Sequence, residues 1–222
     1  PHRMTQTAPM LIGLSAVMVA VEAEAPRVRV TQRETGKDSM PFGVFDPDRH
    51  RTFDLSLRGW VREQTSFELG YVEQLYTFGD RFRDPREQVG GPRVVSAAYL
   101  ALVCESQLPS GHGAHWRSVY RFFPWEDWRG GRPRVIDEFI EPALSRWIEA
   151  GSGGEERNHR RVRAGVSFGF DESPWDGERV LERYELLFEL GLVAEAIRDC
   201  GEAGPADADL VRSTGRGMAF DH

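Results

Sequence analysis

Two stretches of this chain are apolar enough to read as strands buried inside a sheet. Leu11 to Val21 (LIGLSAVMVAV) carries no charged side chain, and Arg93 to Val103 (RVVSAAYLALV) carries one, at its first residue. A strand with one wet face alternates apolar and polar residues, whereas a strand covered on both faces reads as a continuous apolar run rich in Val and Ala. Both runs are therefore expected as buried strands. Strands of this kind need helices laid across the sheet, which gives an α/β or α+β fold. Hydrophobic residues make up 40% and charged residues 28% of the 222 positions, enough to build such a core.

Pro9 to Val21 follows His2 and Arg3 and precedes Ala23-Glu24-Ala25, the outline of a signal peptide. Glu22 and Glu24 are unsuitable beside a cleavage site, and the run is shorter than the roughly 20 apolar residues that cross a bilayer. The strand reading is retained, with a cytoplasmic protein and no membrane partner expected. Cys104 and Cys200 lie far apart without CxxC spacing, which fits two free thiols and neither a zinc site nor a disulfide framework. The formal net charge of -7 excludes a general nucleic-acid binder, which needs a basic surface to neutralise phosphates.

The remaining elements follow from period and punctuation. Glu22 to Pro26 reads as a turn, Arg27 to Gln32 as a half-exposed strand by alternation, and Glu34 to Ser39 as a polar loop. Thr52 to Thr65 places Phe53, Leu55, Leu57, Trp60 and Val61 at roughly helical spacing, with Ser66 to Gly70 closing the helix. Tyr71 to Phe78 favours a strand, Asp80 to Pro92 and Ser106 to Ala114 favour loops, and Trp116 to Phe123 a strand. From Pro133 the chain changes character. Val135 to Ala150 is expected to be an amphipathic helix kinked at Pro142, Gly151 to Arg157 a linker, and Arg161 to Phe170 a strand. Gly177 to Cys200 is expected to be the clearest helix, with apolar residues near i, i+3, i+4 spacing.

Three groups of words carry a resemblance. Trp60-Val61-Arg62-Glu63-Gln64-Thr65-Ser66-Phe67 leads into Tyr71 to Asp80 (YVEQLYTFGD). Arg83-Asp84-Pro85-Arg86 leads into Arg93 to Leu102. Gly217 to His222 (GMAFDH) closes the chain. This order resembles the Nudix-related transcriptional regulators of NAD metabolism, and most closely their alphaproteobacterial branch. It covers most of Leu11 to Trp128, then the terminus. The resemblance implies a Nudix-type α/β/α sandwich with a mixed sheet, its core over residues 9–132. A mainly helical insertion over 133–216 would pack on that core, and 217–222 would begin a final helix. It further implies a homodimer and a C-terminal winged-helix DNA-binding domain that is expected but lies outside this chain.

In Nudix enzymes a helix bearing Arg-Glu-x-x-Glu-Glu-x-Gly holds magnesium through several carboxylates, and the metal activates water against a nucleoside diphosphate. Here Met40-Pro41-Phe42-Gly43 resembles the start of that box, with Gly43 as its glycine. Aligning Ser66 with the last box glycine puts Gly59 and Trp60 at the Arg-Glu positions and Glu63 and Gln64 at the Glu-Glu positions. The first glutamate falls around Arg49 to Arg51. Of the three helical acidic positions one, Glu63, keeps a carboxylate. The resemblance thus implies a degenerate box without catalytic residues or a metal cofactor. Its nucleotide effector would be adenine-based: ADP-ribose, NAD or ATP. The alternative is a Nudix hydrolase that uses magnesium through a non-standard carboxylate set.

Arginine suits phosphate because its planar fork donates two parallel hydrogen bonds. Arg58 and Arg62 are spaced to share a helix face. With Glu63, Arg81, Arg83 and Arg86 they are the candidate ligand-binding residues, and Arg49 and Arg51 lie nearby in sequence. A solvated charged face is the alternative. Glu126 and Asp127 are candidate further metal ligands, with a polar turn as the alternative. His112 and His115 are a candidate zinc pair, with a plain loop as the alternative, and Arg157, Arg160, Arg161 and Arg163 a candidate phosphate-binding run, with a solvated linker as the alternative. Trp60, Trp125, Trp128 and Trp147 are candidates to stack on a base or to fill a core.

Overall fold

The computed structural model describes residues 10–22, 25–32, 37–81, 84, 87, 89–104, 113–194, 196 and 218. The chain divides into two compact units, Pro1–Val119 with Gly217–His222, and Tyr120–Arg216. The second unit begins ahead of the expected Pro133 because Trp125, fully buried, belongs to the core of the helices that follow it.

The first unit is a mixed sheet with a helix on it, the α+β class expected. The central pair is β1 (Met10–Glu22) and β6 (Arg93–Leu102), parallel from Met10↔Arg93 to Val19↔Leu102. Leu14, Ala16 and Met18 of β1 and Ala97, Tyr99 and Ala101 of β6 form one buried face. The opposite face at Gly13 and Ser15 is also buried, so the run is covered on both sides in its middle. β2 (Ala25–Gln32) and β4 (Phe42–Val44) both pair antiparallel with β1, β2 at Val19 to Glu22 and β4 at Gly13 to Ser15. With β3 at Asp38–Ser39 and β5 at Glu73–Phe78, the sheet runs β3-β2-β1-β6-β5, and β7 (Ala114–Ser118) adds to β2.

The edges depart from the sequence reading. Asp38–Ser39, expected in a loop, forms the short strand β3 against β2, and both residues are buried. Asp38 is buried because its carboxylate meets His115 Nε2 at 3.0 Å and Arg117 Nε at 3.1 Å across β7. β2 is less one-sided than its alternation suggests, since Val28, Arg29 and Val30 are all buried and the Arg29 guanidinium lies over the Trp116 ring at 5.6 Å. β7 ends at Ser118, and Val119–Arg121 turns into a 3-10 helix, so the expected strand to Phe123 is cut short. β5 (Glu73–Phe78) pairs with β6 through an irregularity between Gln74 and Tyr76 and is exposed along most of its length.

Helix α1 (Phe53–Thr65) forms where expected. Thr52 caps it, its hydroxyl accepting from Leu55 N–H at 3.2 Å, and Asp54 sits in the first turn where the helix dipole favours an acid. Leu57, Val61 and Thr65 form its buried stripe. It ends at Ser66, which adopts the left-handed conformation at φ 56 and donates its N–H to Arg62 O. That conformation is the one glycine adopts without penalty at a helix end.

The second unit is helical. Ile136–Ile140 forms one π turn ahead of α2 (Glu141–Glu149), and Pro142 sits in the first turn of α2. Proline has no N–H for the preceding turn and its ring clashes with the carbonyl four residues back, so the turn ahead of Pro142 widens where a kink was expected. The expected linker at Gly151 to Arg157 and strand at Arg161 to Phe170 are instead one helix, α3 (Gly154–Phe168). Its buried residues Ala164, Gly165 and Phe168 recur at helical spacing, and Gly169 stops it at φ 62. The long helix expected over Gly177 to Cys200 is α4 (Val180–Glu189), because Gly191 turns left-handed at φ 68. Residues 197–200 lie outside the described residues, as do 217 and 219–222 of the expected final helix. Met218 is buried and makes an isolated parallel bridge to Asp38. No helix among the described residues is long and apolar enough to cross a membrane.

Candidate functional site

Around an α-helix successive residues turn by about 100°. Trp60 and Gln64 therefore lie on one flank of the Leu57–Val61–Thr65 stripe of α1, and Asp54 and Arg58 on the other. The contacts follow that division. Gln64 Nε2 donates to Phe42 O at 2.7 Å, and its Oε1 accepts from Phe42 N–H at 3.1 Å. Trp60 Nε1 donates to Val44 O at 3.1 Å. The Trp60 ring lies directly over Gly43, where an added Cβ would fall 2.1 Å from the ring. Glycine at position 43 is thus required by the close approach of an aromatic plane to the strand.

Alternation along β4 explains why these groups need partners. Pro41 O accepts from Ala16 N–H at 2.9 Å, and Phe45 N–H donates to Ile12 O at 2.8 Å, so β1 serves the odd positions. In an antiparallel pair the intervening residues turn their polar groups the other way. Phe42 and Val44 face α1, where Gln64 and Trp60 meet them.

On the other flank Arg58 is taken up by its own unit. Its Nε bonds Asp54 Oδ2 at 2.8 Å and its Nη1 donates to Leu69 O, tying the segment after α1 back onto the helix. Asp54 also faces Tyr99, whose hydroxyl donates to Gln74 Oε1 at 3.1 Å. Burial first, and then the Asp54 charge, hold that phenol above its usual range.

The candidate ligand residues separate accordingly. Arg62 and Glu63 are exposed on the outer face of α1 and make no side-chain hydrogen bond or ion pair among the described residues. Arg81 is exposed beyond β5, and Arg83 and Arg86 lie outside the described residues. Arg49 and Arg51 are exposed before α1, and the ring of His50 between them packs toward Gly59. The roles of Trp60 and Gln64 as partners of β4 were not read from the sequence. The signal that could have found them is the pairing of the Phe42-Gly43 word with a helix that carries an indole and an amide four residues apart.

The other candidates from Trp125 onward are engaged within the second unit. Glu126 forms a paired bond with Arg183, and Asp127 with Arg129 at 2.7 and 2.8 Å, which lowers the Asp127 carboxyl pKa. Trp125 is core, Trp128 packs tilted against Trp175 with ring centroids 4.5 Å apart, and the Arg160 guanidinium lies over Trp147 at 5.2 Å. The arginines read as a linker run lie on α3, where Arg160 pairs with Glu156, Arg161 with Asp171 and Arg163 with Glu189. His115 bonds Asp38, and His112 lies outside the described residues. Among the described residues no three His, Cys, Asp or Glu side chains converge as a metal site.

No protein-family model matches this chain, and no curated protein is similar to it. Solved structures are. The NUDIX domain of Shewanella oneidensis NrtR, complexed with ADP ribose, shares 21% identity over 55% of this chain and 82% of that one, with a TM-score of 0.45. A MutT/nudix family protein from Enterococcus faecalis shares 22% over 53% of this chain, which spans 47% of its length, at a TM-score of 0.44. Shewanella oneidensis NrtR complexed with a 27mer DNA shares 22% over 63% of each chain, at a TM-score of 0.43.

Proposed function

We propose that this chain is the effector-sensing, Nudix-like part of a transcriptional regulator of NAD biosynthesis, and that it holds an adenine nucleotide without hydrolysing it. One observation carries the second half of that reading. At the two helical box positions that lack a carboxylate, Trp60 and Gln64 are bonded to the backbone of β4, leaving Glu63 as the one acid among those box positions. Activating water against a pyrophosphate needs divalent cations held by several hard carboxylate oxygens, and one exposed glutamate does not supply them. The regulator half rests on the words from Trp60 to Leu102 and Gly217 to His222.

In this reading Arg62, with Arg81, Arg83 and Arg86, supplies cations to the phosphates. Binding biases a homodimer between two states and so alters the DNA readers attached to it, which requires that the nucleotide prefer one state. ADP-ribose, NAD and ATP titrated calorimetrically into the chain test it, with parallel incubations in magnesium or manganese assayed for AMP. Saturable binding of one nucleotide without AMP release is the expected result. Metal-dependent AMP release that disappears in Glu63→Gln would instead make the chain a hydrolase. Absence of binding by all three would leave a dimerisation scaffold.

A further inference from the structure

We infer that the Trp60–Gln64 flank of α1 serves as the missing neighbour strand of β4, and that no divalent-cation site is built on it. This stands on the geometry of α1 and β4 and is independent of which nucleotide, if any, the chain holds. Where β1 covers one edge of β4, the other edge exposes the N–H and C=O of Phe42 and the C=O of Val44. A neighbouring strand would offer a peptide group that both donates and accepts. The primary amide of Gln64 does this with one side chain, at 2.7 and 3.1 Å, and the indole N–H of Trp60 serves Val44 O. The Trp60 ring meanwhile fills the space above Gly43 that any other residue's Cβ would occupy.

The donor chemistry is the wrong kind for a hard cation. Magnesium and manganese take carboxylate and carbonyl oxygens. Here the Gln64 amide oxygen is already accepting from Phe42, and the Phe42 and Val44 carbonyls are already accepting from N–H groups. An indole offers a donor and no acceptor. A cation at this face would meet Gln64 and Trp60 already engaged with the β4 backbone, and Glu63 as the one carboxylate among the box positions of the helix. The positions that resemble a cation site thus perform a structural task.

The test uses the whole chain. Manganese is titrated and followed by electron paramagnetic resonance, and hydrogen exchange is measured at the Phe42 amide in the wild type, Gln64→Ala and Gln64→Glu. The wild type is expected to show no saturable manganese site below roughly millimolar. Gln64→Ala is expected to speed Phe42 exchange at least about tenfold by removing the acceptor. Gln64→Glu keeps an acceptor for that N–H but faces Phe42 O with a second acceptor. It should leave the Phe42 amide protected while lowering the thermal midpoint. Saturable manganese binding by the wild type that is lost in Glu63→Gln would overturn the inference. So would a Phe42 exchange rate unchanged in Gln64→Ala. Both readouts are separate from nucleotide binding, so failure of the effector reading leaves them intact.

Discussion

Arg183 offers the sharpest test of how the second unit is held together. Its side chain is fully buried and forms a two-pronged pair with Glu126, Nε to Oε1 at 2.7 Å and Nη2 to Oε2 at 2.9 Å; the Glu126 side chain is 13% exposed. Nη1 also donates to Ser167 O at 3.1 Å and Asp176 O at 2.7 Å, and the guanidinium lies 4.0 Å over the Trp175 ring. One cation thus joins the Phe123–Trp128 segment, the end of α3, the loop before α4 and α4 itself. Arg183→Met keeps most of the side-chain volume and removes every polar contact. A buried carboxylate left without its partner costs about 3–5 kcal/mol. The two carbonyls that lose donors add about 1 kcal/mol each at most, since such terms are not additive. A total near 4–6 kcal/mol is a large part of the roughly 5–15 kcal/mol that holds a domain folded. Urea unfolding of the whole chain, followed by tryptophan fluorescence and far-ultraviolet circular dichroism, measures it. Adding Glu126→Leu to Arg183→Met removes the stranded charge and should recover about 2–3 kcal/mol, because an apolar pair of similar volume often replaces a buried ion pair without loss. A single variant that costs under about 1 kcal/mol, or a double variant no better than the single, would refute the assignment of the pair as the centre of this unit.

Three further outcomes follow from the local geometry. Gly43→Ala drives a Cβ into the Trp60 ring; it should lower stability by about 2–3 kcal/mol as α1 lifts from β4, and Trp60→Leu in the same chain should restore part of the loss, read by thermal denaturation. Ser66→Gly relieves a side chain held at φ 56 and should raise stability by about 0.5–1 kcal/mol, less any entropy that glycine adds to the unfolded chain; a fall in thermal midpoint would contradict the left-handed cap. Glu156 is held down to about 2, first by the Ser152 hydroxyl, then by the Ser152 N–H and Arg160. A carboxyl lowered on folding contributes stability above its unfolded value near 4.5 and loses it as pH falls toward 2. Nuclear magnetic resonance titration of that carboxyl should therefore give a midpoint near 2 and loosening at the start of α3 between those limits, whereas a midpoint at 4 or above would exclude the capping arrangement.

Much of the first unit was legible because its signals are local. The uncharged runs of β1 and β6 state their burial directly, and the Thr52 cap and Ser66 stop bracket a helix whose apolar period is visible between them. In the second unit the same kind of signal misled. Val162, Val166, Phe168 and Phe170 alternate with other residues as in a strand, yet Val162 and Val166 are exposed on α3 and Ala164, Gly165 and Phe168 form its packed side. The Glu155-Glu156 start and the Gly169 stop were the better guides, since they satisfy the ends that a helix must close.

The sequence by itself determined where strands and helices were needed, that α1 lacks the acids of the box it resembles, and that the chain is acidic overall. Tertiary structure alone decided what the replacing side chains do. Gln64 meets Phe42 across 22 positions and Arg183 meets Glu126 across 57. Nothing in the spacing of either pair shows that an amide will complete a strand edge or that a lone arginine will be buried. The physical reason is that period and capping are properties of a few consecutive residues. The partner of a polar side chain is set by whichever distant segment the fold brings opposite it, and by the cost of leaving that segment's backbone unbonded.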